Sequence, residues 1–276
     1  MIVTAHSGCE GTPDNSLSFI DYALRLPVQA LEVDVWQDEA GALILSHDKP
    51  TASGDSRPVP TTSSISSATA DISAATVSGS ASAASDIAAA SPTGAFADSA
   101  SSAIPAPYPA LDEALSRLAR HPSMLLNCDL KQGGLEDAVI ALAARRGLER
   151  CLLFSGEVAL DFPARHPAFA GQALLNIEHL LVDLYEQLSG GEVLADTRAA
   201  ALVRECRARG FRLLNVDFHI CTDGLVRAAA QSGVGLSFWT VDRPQDIRRV
   251  LALSPYNITS RQPQRVLAAQ AEIQAH

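Results

Sequence analysis

Glu32 and Asp34 stand two residues apart inside the apolar run ALEVDVW (30–36), and His47 and Asp48 close a second apolar run, ALILSHD (42–48). Carboxylates are costly to bury unless they are paired or hold a cation. Residues i and i+2 of a strand point to one face, so Glu32 and Asp34 share a face if 30–36 is a strand. The spacing recurs in SMLLNCDLK (123–131), where Asn127, Asp129 and Lys131 alternate with apolar residues. Three carboxylates converging on one cavity repel one another unless a cation sits between them. Oxygen-only ligands suit one hard divalent cation, Mg²⁺ or Ca²⁺. His6 ends the first apolar run, IVTAH (2–6), and His47 ends the later one. Two histidines beside such a cation suit general acid and base work near neutral pH. The candidate metal ligands are thus Glu32, Asp34 and Asp129, and the candidate catalytic pair is His6 and His47.

Such a cluster needs strands to align it. Besides the four runs above, CLLFSG (151–156), ALLNIE (173–178), RLLNVDF (212–218), GLSFWTV (235–241) and YNITS (256–260) read as strands. Helical patterns lie between them. NSLSFIDYALRL opens with Asn15 or Ser16 as N-cap, ALDEALSRLARH carries acids in its first turn, and EDAVIALAARRG ends on arginines and glycine. DTRAAALVRECRARG and PQDIRRVLAL follow the same pattern. This alternation predicts an α/β fold with a parallel sheet. Only QDEAG separates ALEVDVW from ALILSHD, too little for a crossover helix, so these two must pair as an antiparallel hairpin. The other eight strands fit a (β/α)8 TIM-type barrel, with its active site at the C-terminal ends of the strands and the hairpin returning His47 over that mouth. Asn215 and Asp217 share a face of the sixth barrel strand and are either supporting groups of the site or structural groups at the mouth.

Between residues 51 and 100, 33 of 50 residues are Ser, Ala or Thr and only five are charged. Large apolar side chains are too few there to offset the entropy of ordering. Residues 49–107 are therefore expected to be a loosely structured, low-complexity insertion over the mouth of a single barrel spanning 1–276. The formal net charge of −10 argues against nucleic-acid and anionic-membrane partners, which require a basic surface. No apolar run is long enough for a bilayer span, and no leader pattern is visible at MIVTAHSG. The five cysteines are odd in number and scattered, which predicts neither zinc site nor disulfide framework and places the protein in the cytoplasm. Cys9 stands beside the candidate site but fits a packing role better than a nucleophile's.

At these residues the sequence resembles the glycerophosphodiester phosphodiesterase family. The resemblance rests on HSG (6–8), PDNS (13–16), Glu32 with Asp34, His47 with Asp48, PALDEAL (109–115), Asp129 with Lys131, WTVD (239–242) and ITSRQP (258–263), in that order. It covers nearly the whole chain outside the Ser/Ala-rich stretch. It implies that Glu32, Asp34 and Asp129 bind the divalent cation and that His6 and His47 form the acid–base pair. It further implies that Lys131 holds the phosphate and that Trp239 lines the substrate pocket, although Trp239 reads equally as a barrel-layer residue. Ser7 stands where the family carries Arg, and Asp129 where it carries Glu. The implied activity is metal-dependent hydrolysis of small-molecule glycerophosphodiesters to sn-glycerol 3-phosphate and an alcohol. Action on lysophospholipid or phosphoinositol headgroups, and non-catalytic phosphodiester binding, are the alternatives.

Overall fold

The computed structural model describes residues 1–50, 108–181 and 193–274. The expectation of a loose insertion falls on residues outside those described, apart from its first two positions. Among the described residues nine strands form: β1 Ile2–Ala5, β2 Ala30–Gln37, β3 Leu43–Leu45, β4 Leu125–Leu130, β5 Leu152–Gly156, β6 Leu174–Asn176, β7 Leu213–Asp217, β8 Gly235–Trp239 and β9 Asn257–Ser260. Each falls within a run expected from the sequence except β2, which extends one residue past its run, to Gln37. Eight are parallel, in the order β5-β4-β2-β1-β9-β8-β7-β6. The two ends of that order meet through the parallel bridge Phe154↔Ala173 and the Phe154 N–H donated to Gln172 O at 2.8 Å, which nearly closes a (β/α)8 barrel. Among the described strands β3 pairs with β2, antiparallel, as the short connection requires.

The described helices are α1 Leu17–Ala23, α2 Leu111–Leu118, α3 Glu136–Ala144, α4 Phe162–Arg165, α5 Asp196–Ala208, α6 Asp223–Ser232, α7 Pro244–Ala252 and α8 Pro263–Gln274. Of the two candidate caps of α1, Ser16 is the one used: its Oγ accepts from the Phe19 N–H at 3.0 Å. Asn15, relieved of that duty, serves the site instead. At α2 the Glu113 carboxylate accepts from the Ala110 N–H at 3.1 Å.

Strand alternation builds two cores. Val3, Leu31, Val33, Val35, Leu126, Leu130, Phe154, Leu214, Val216 and Phe238 are buried in the layer shared with the helices, each contributing on the order of 1.5–3 kcal/mol by burial. The opposite face fills the barrel. Its N-terminal end is plugged by Ala30, Leu153, Leu174 and Leu213, with Ile2, Leu125 and Tyr256 packed against them. Further along the strands the interior turns polar: Thr4, Glu32, Asn127, Ser155, Asn215, Ser237 and Asn257 are all buried. Side-chain bonds join these neighbours, including Thr4 Oγ1 to Asn257 Oδ1 at 2.7 Å and Asn127 Nδ2 to Ser155 Oγ at 2.9 Å. The apolar plug is a rigid floor, and the polar layer supports whatever lies above it.

Candidate active site

Register brings the acids together. In the β2–β4 ladder Glu32 is opposite Asn127 and Asp34 is opposite Asp129, and in the β4–β5 ladder Asp129 is opposite Ser155. Adjacent strands lie about 4.8 Å apart, so inward carboxylates at matched positions are forced into proximity. One oxygen from each of Glu32, Asp34 and Asp129 lies within 4.8 Å of the others. His6, Glu32, Asp34, His47, Asp129, Lys131 and Trp239, the seven residues singled out in the sequence, all line one cavity of about 340 Å³ at the C-terminal end of the barrel.

Each acid has a different environment. Asp34 is buried and held on both oxygens: Asn15 Nδ2 donates to Oδ2 at 2.7 Å, and the Lys131 ammonium sits 2.7 Å from Oδ1. Asn15 Oδ1 also accepts from the Asp34 backbone N–H at 2.9 Å, and Ser7 Oγ accepts from the Asn15 N–H at 2.6 Å. Ser7, where the family carries Arg, is thus a buried anchor for the loop that positions Asp34. Gly8 beside it has φ +77°, and a Cβ there would collide with the Asp14 carboxylate, so no side chain fits. Asp129 accepts from Ser155 Oγ at 2.7 Å and pairs with Lys131 at 2.6 Å. Burial alone would lower the Lys131 pKa, but Asp129 and Asp34 hold it above the usual lysine value. Glu32 is the acid left over. Its Oε2 is buried with no hydrogen-bond partner among the described residues, and the His6 ring, a cation only when doubly protonated, faces it with Nε2 at 3.7 Å.

The histidines differ in exposure. The His6 side chain is 17 % exposed and that of His47 is 58 % exposed. His6 Nδ1 lies 2.7 Å from Ser7 O, a carbonyl that can only accept, so Nδ1 carries the proton and Nε2 is free to exchange one. His47 Nδ1 lies 2.9 Å from the Asp48 carboxylate, which leaves its Nε2 free in the same way. Trp239 lines the cavity with a buried Nε1–H that has no acceptor among the described residues. Asp217 accepts from the His219 backbone and ring at 2.9 and 2.7 Å and does not line the cavity, so it is structural. Cys9 is fully buried, with its thiol pushed up to about 12 chiefly by that burial, which excludes it as a nucleophile.

The site contains groups that the sequence did not single out. Asn15, Ser155 and Glu178 are the most consequential. Glu178 lines the cavity; Asn215 Nδ2 donates to Asn176 Oδ1 at 2.9 Å, and Asn176 Nδ2 donates to Glu178 Oε1 at 3.0 Å. Burial raises the Glu178 pKa, and Asp129 adds to the rise.

The donor set fits a divalent cation. Three carboxylates face a single ammonium, and the unpartnered Glu32 oxygen is the group a cation would satisfy. Without a cation, Glu32 is raised from 4.5 to about 7, mostly by burial, with His6 lowering it and then Asp34 and Asp129 raising it. A raised carboxyl binds its proton more tightly folded than unfolded. Its contribution to stability is therefore complete below the ordinary value of 4.5 and is lost as pH rises through about 7. The metal-free protein is expected to melt several degrees lower at pH 8 than at pH 5, and Glu32→Gln should flatten that difference. Calorimetry in EDTA checks this; a wild-type slope identical to that of Glu32→Gln would refute it.

No protein-family model and no curated protein matches the sequence. Solved structures do match. A protein of Agrobacterium tumefaciens provisionally designated a glycerophosphoryl diester phosphodiesterase has a TM-score of 0.65 at 15 % identity, covering 100 % of this chain and 99 % of that one. A phosphodiesterase of Oleispira antarctica, solved with the product sn-glycerol-3-phosphate, has a TM-score of 0.60 at 16 % identity, covering 98 % of this chain and 97 % of the other. A glycerophosphodiester phosphodiesterase of Thermotoga maritima has a TM-score of 0.60 at 15 % identity, covering 98 % of each chain. From end to end, then, this chain has the fold of solved glycerophosphodiester phosphodiesterases, the family its sequence resembles.

Proposed function

We propose that the protein is a metal-dependent phosphodiesterase that hydrolyses glycerophosphodiesters to sn-glycerol 3-phosphate and an alcohol. One observation carries the proposal: a carboxylate trio with one unsatisfied buried oxygen shares a cavity with an ammonium and two histidines whose Nε2 atoms are free. Glu32, Asp34 and Asp129 would hold one Mg²⁺ or Ca²⁺. When bound, the cation supplies Lewis-acid stabilisation of the charge developing on the phosphoryl oxygens. Lys131 binds the phosphate as a point charge. One histidine Nε2 takes the proton of the attacking hydroxyl or water, and the other gives a proton to the departing alcohol oxygen. Trp239 packs against the substrate.

The proposal treats the chain as one catalytic barrel interrupted at residues 49–107. Its flanks support this: Ile44 bridges Ala110, and the Leu45 N–H donates to Pro109 O at 2.8 Å, so the chain leaves and rejoins the barrel at adjacent points. No helix among the described residues is long and apolar enough to cross a membrane. With scattered cysteines and a net charge of −10, this favours a small-molecule substrate met in the cytoplasm over a nucleic acid.

A substrate screen tests the function. Glycerophosphocholine, glycerophosphoethanolamine and glycerophosphoinositol are expected to release their headgroup alcohols at rates well above headgroup release from lysophosphatidylcholine. Release from the lysophospholipid alone would replace the proposal with its lipid-headgroup alternative.

A further inference from the structure

The three acids of the trio are held unequally, and the difference bears on which cation they suit. Ser155 Oγ accepts from Asn127 Nδ2 at 2.9 Å, so its one hydroxyl proton goes to Asp129 Oδ1 at 2.7 Å. The end of β5 is pressed against β4 there: Gly156 has φ +75°, and a Cβ on it would collide with Leu130 O. Asp34 is fixed from its other side. Asn15 Nδ2 donates to Oδ2 at 2.7 Å, while Asn15 itself is anchored by the Asp34 N–H on its Oδ1 and by Ser7 Oγ on its N–H. Asn15 and Ser155 are both buried. Each aspartate therefore has one oxygen engaged by a neutral, anchored donor. The other two, Asp34 Oδ1 and Asp129 Oδ2, point to one place, since both lie within 2.7 Å of the Lys131 nitrogen. Of the trio, only Glu32 keeps a buried oxygen with no hydrogen-bond partner among the described residues.

Mg²⁺ and Ca²⁺ ask different things of such a set. Ca²⁺ takes about six to eight oxygens at about 2.3–2.6 Å, often from bidentate carboxylates, in a yielding cage. Mg²⁺ takes a near-octahedral six at about 2.0–2.1 Å, of which few come from carboxylates and the rest from water or substrate phosphate. To chelate through both oxygens, Asp34 or Asp129 would have to turn and give up its bond from Asn15 or Ser155, leaving a buried donor unmet. Asp129, standing where the family carries Glu, has the shorter arm for such a turn. Among the described residues no fourth acid, histidine or cysteine joins the trio. We infer that the site is built for Mg²⁺ in preference to Ca²⁺, with Asn15 and Ser155 as the positioning residues that set the preference by holding Asp34 and Asp129 as single-oxygen ligands. This rests on the proposed reading of the trio as a cation site and names the cation.

Titrations of the EDTA-stripped, full-length protein with MgCl₂ and with CaCl₂, followed by thermal shift and by calorimetry, test this without turnover. The wild type should bind Mg²⁺ about 10-fold or more tightly than Ca²⁺, the scale on which groups that orient ligands act. In Ser155→Ala and Asn15→Ala the ratio should fall to within a few-fold, chiefly because Ca²⁺ gains. Ser155→Thr, which keeps the hydroxyl, should retain the wild-type ratio. A merely structural defect would weaken both cations together and leave the ratio unmoved, so an unchanged ratio in both folded alanine variants would overturn the assignment to Asn15 and Ser155. Equal affinities in the wild type, or tighter Ca²⁺, would overturn the preference itself and leave the metal-dependent reaction standing. Binding of neither cation would sink the cation reading of the trio, and this inference with it.

Discussion

Excess EDTA is expected to abolish hydrolysis of a glycerophosphodiester by this protein, and millimolar Mg²⁺ or Ca²⁺ to restore it. The expectation follows from charge. Lys131 at 2.7 Å from Asp34 and 2.6 Å from Asp129 compensates those two acids only in part, and it leaves Glu32 without a partner on Oε2. A phosphodiester brings a further negative charge into the same cavity. Without a cation the anionic substrate meets an excess of carboxylate, and both binding and charge stabilisation in the transition state fail. The four oxygens of Asp34 and Asp129 already have Asn15, Ser155 and Lys131 as partners, yet each carboxylate oxygen keeps a second lone pair for a cation. Glu32→Gln should raise the cation concentration needed for half-maximal rate and lower the maximal rate. Unimpaired turnover in excess chelator would remove the metal from the site and turn the trio into a structural network around Lys131.

Much of this site was legible because strands have a strict period of two. Glu32–Asp34 and Asn127–Asp129 declare their shared face in the sequence, and neighbouring parallel strands then set them side by side. His6 and His47 were legible as the last residues of strand-like runs. Glu178 was missed although Asn176-Ile177-Glu178 repeats the alternation of Asn127-Cys128-Asp129 and Asn215-Val216-Asp217. Regular strand stops at Asn176 and a 3₁₀ turn, Ile177–His179, carries Glu178 onward, so its direction depends on a turn that periodicity does not describe. Asn15 was missed for another reason. Asn and Ser adjacent before a helix both read as caps, and only tertiary contact reveals that Ser16 caps while Asn15 reaches Asp34, 19 residues away. Asp217, inward-facing by the same alternation, spends its carboxylate on His219 and leaves the site. Alternation fixes a face, whereas the partner that captures a side chain on that face is a property of the loops.

His6→Ala and His47→Ala should each lower kcat by roughly 100-fold or more, the usual scale for a positioned proton-transfer group, with much smaller changes in KM. The two losses should differ in their dependence on the leaving group. His6 is packed against the interior, its ring fixed by Ser7 O and its Nε2 directed toward Glu32 at 3.7 Å. That is the place of a group acting on the nucleophile, beside the carboxylates. His47 stands at the exposed rim, oriented by Asp48, where a departing alcohol meets solvent. That position suits the proton donor of the proposed reaction. A p-nitrophenyl ester of glycerol phosphate leaves without needing a proton, so the His47→Ala defect should largely vanish on it while the His6→Ala defect persists. The pH–rate profiles should agree: His47→Ala loses the limb at high pH and His6→Ala the limb at low pH. Near-normal turnover in either variant on a natural diester would end that residue's catalytic assignment. Equal rescue of both variants by the activated ester would mean that neither histidine acts on the nucleophile, leaving a carboxylate of the cavity as the candidate base.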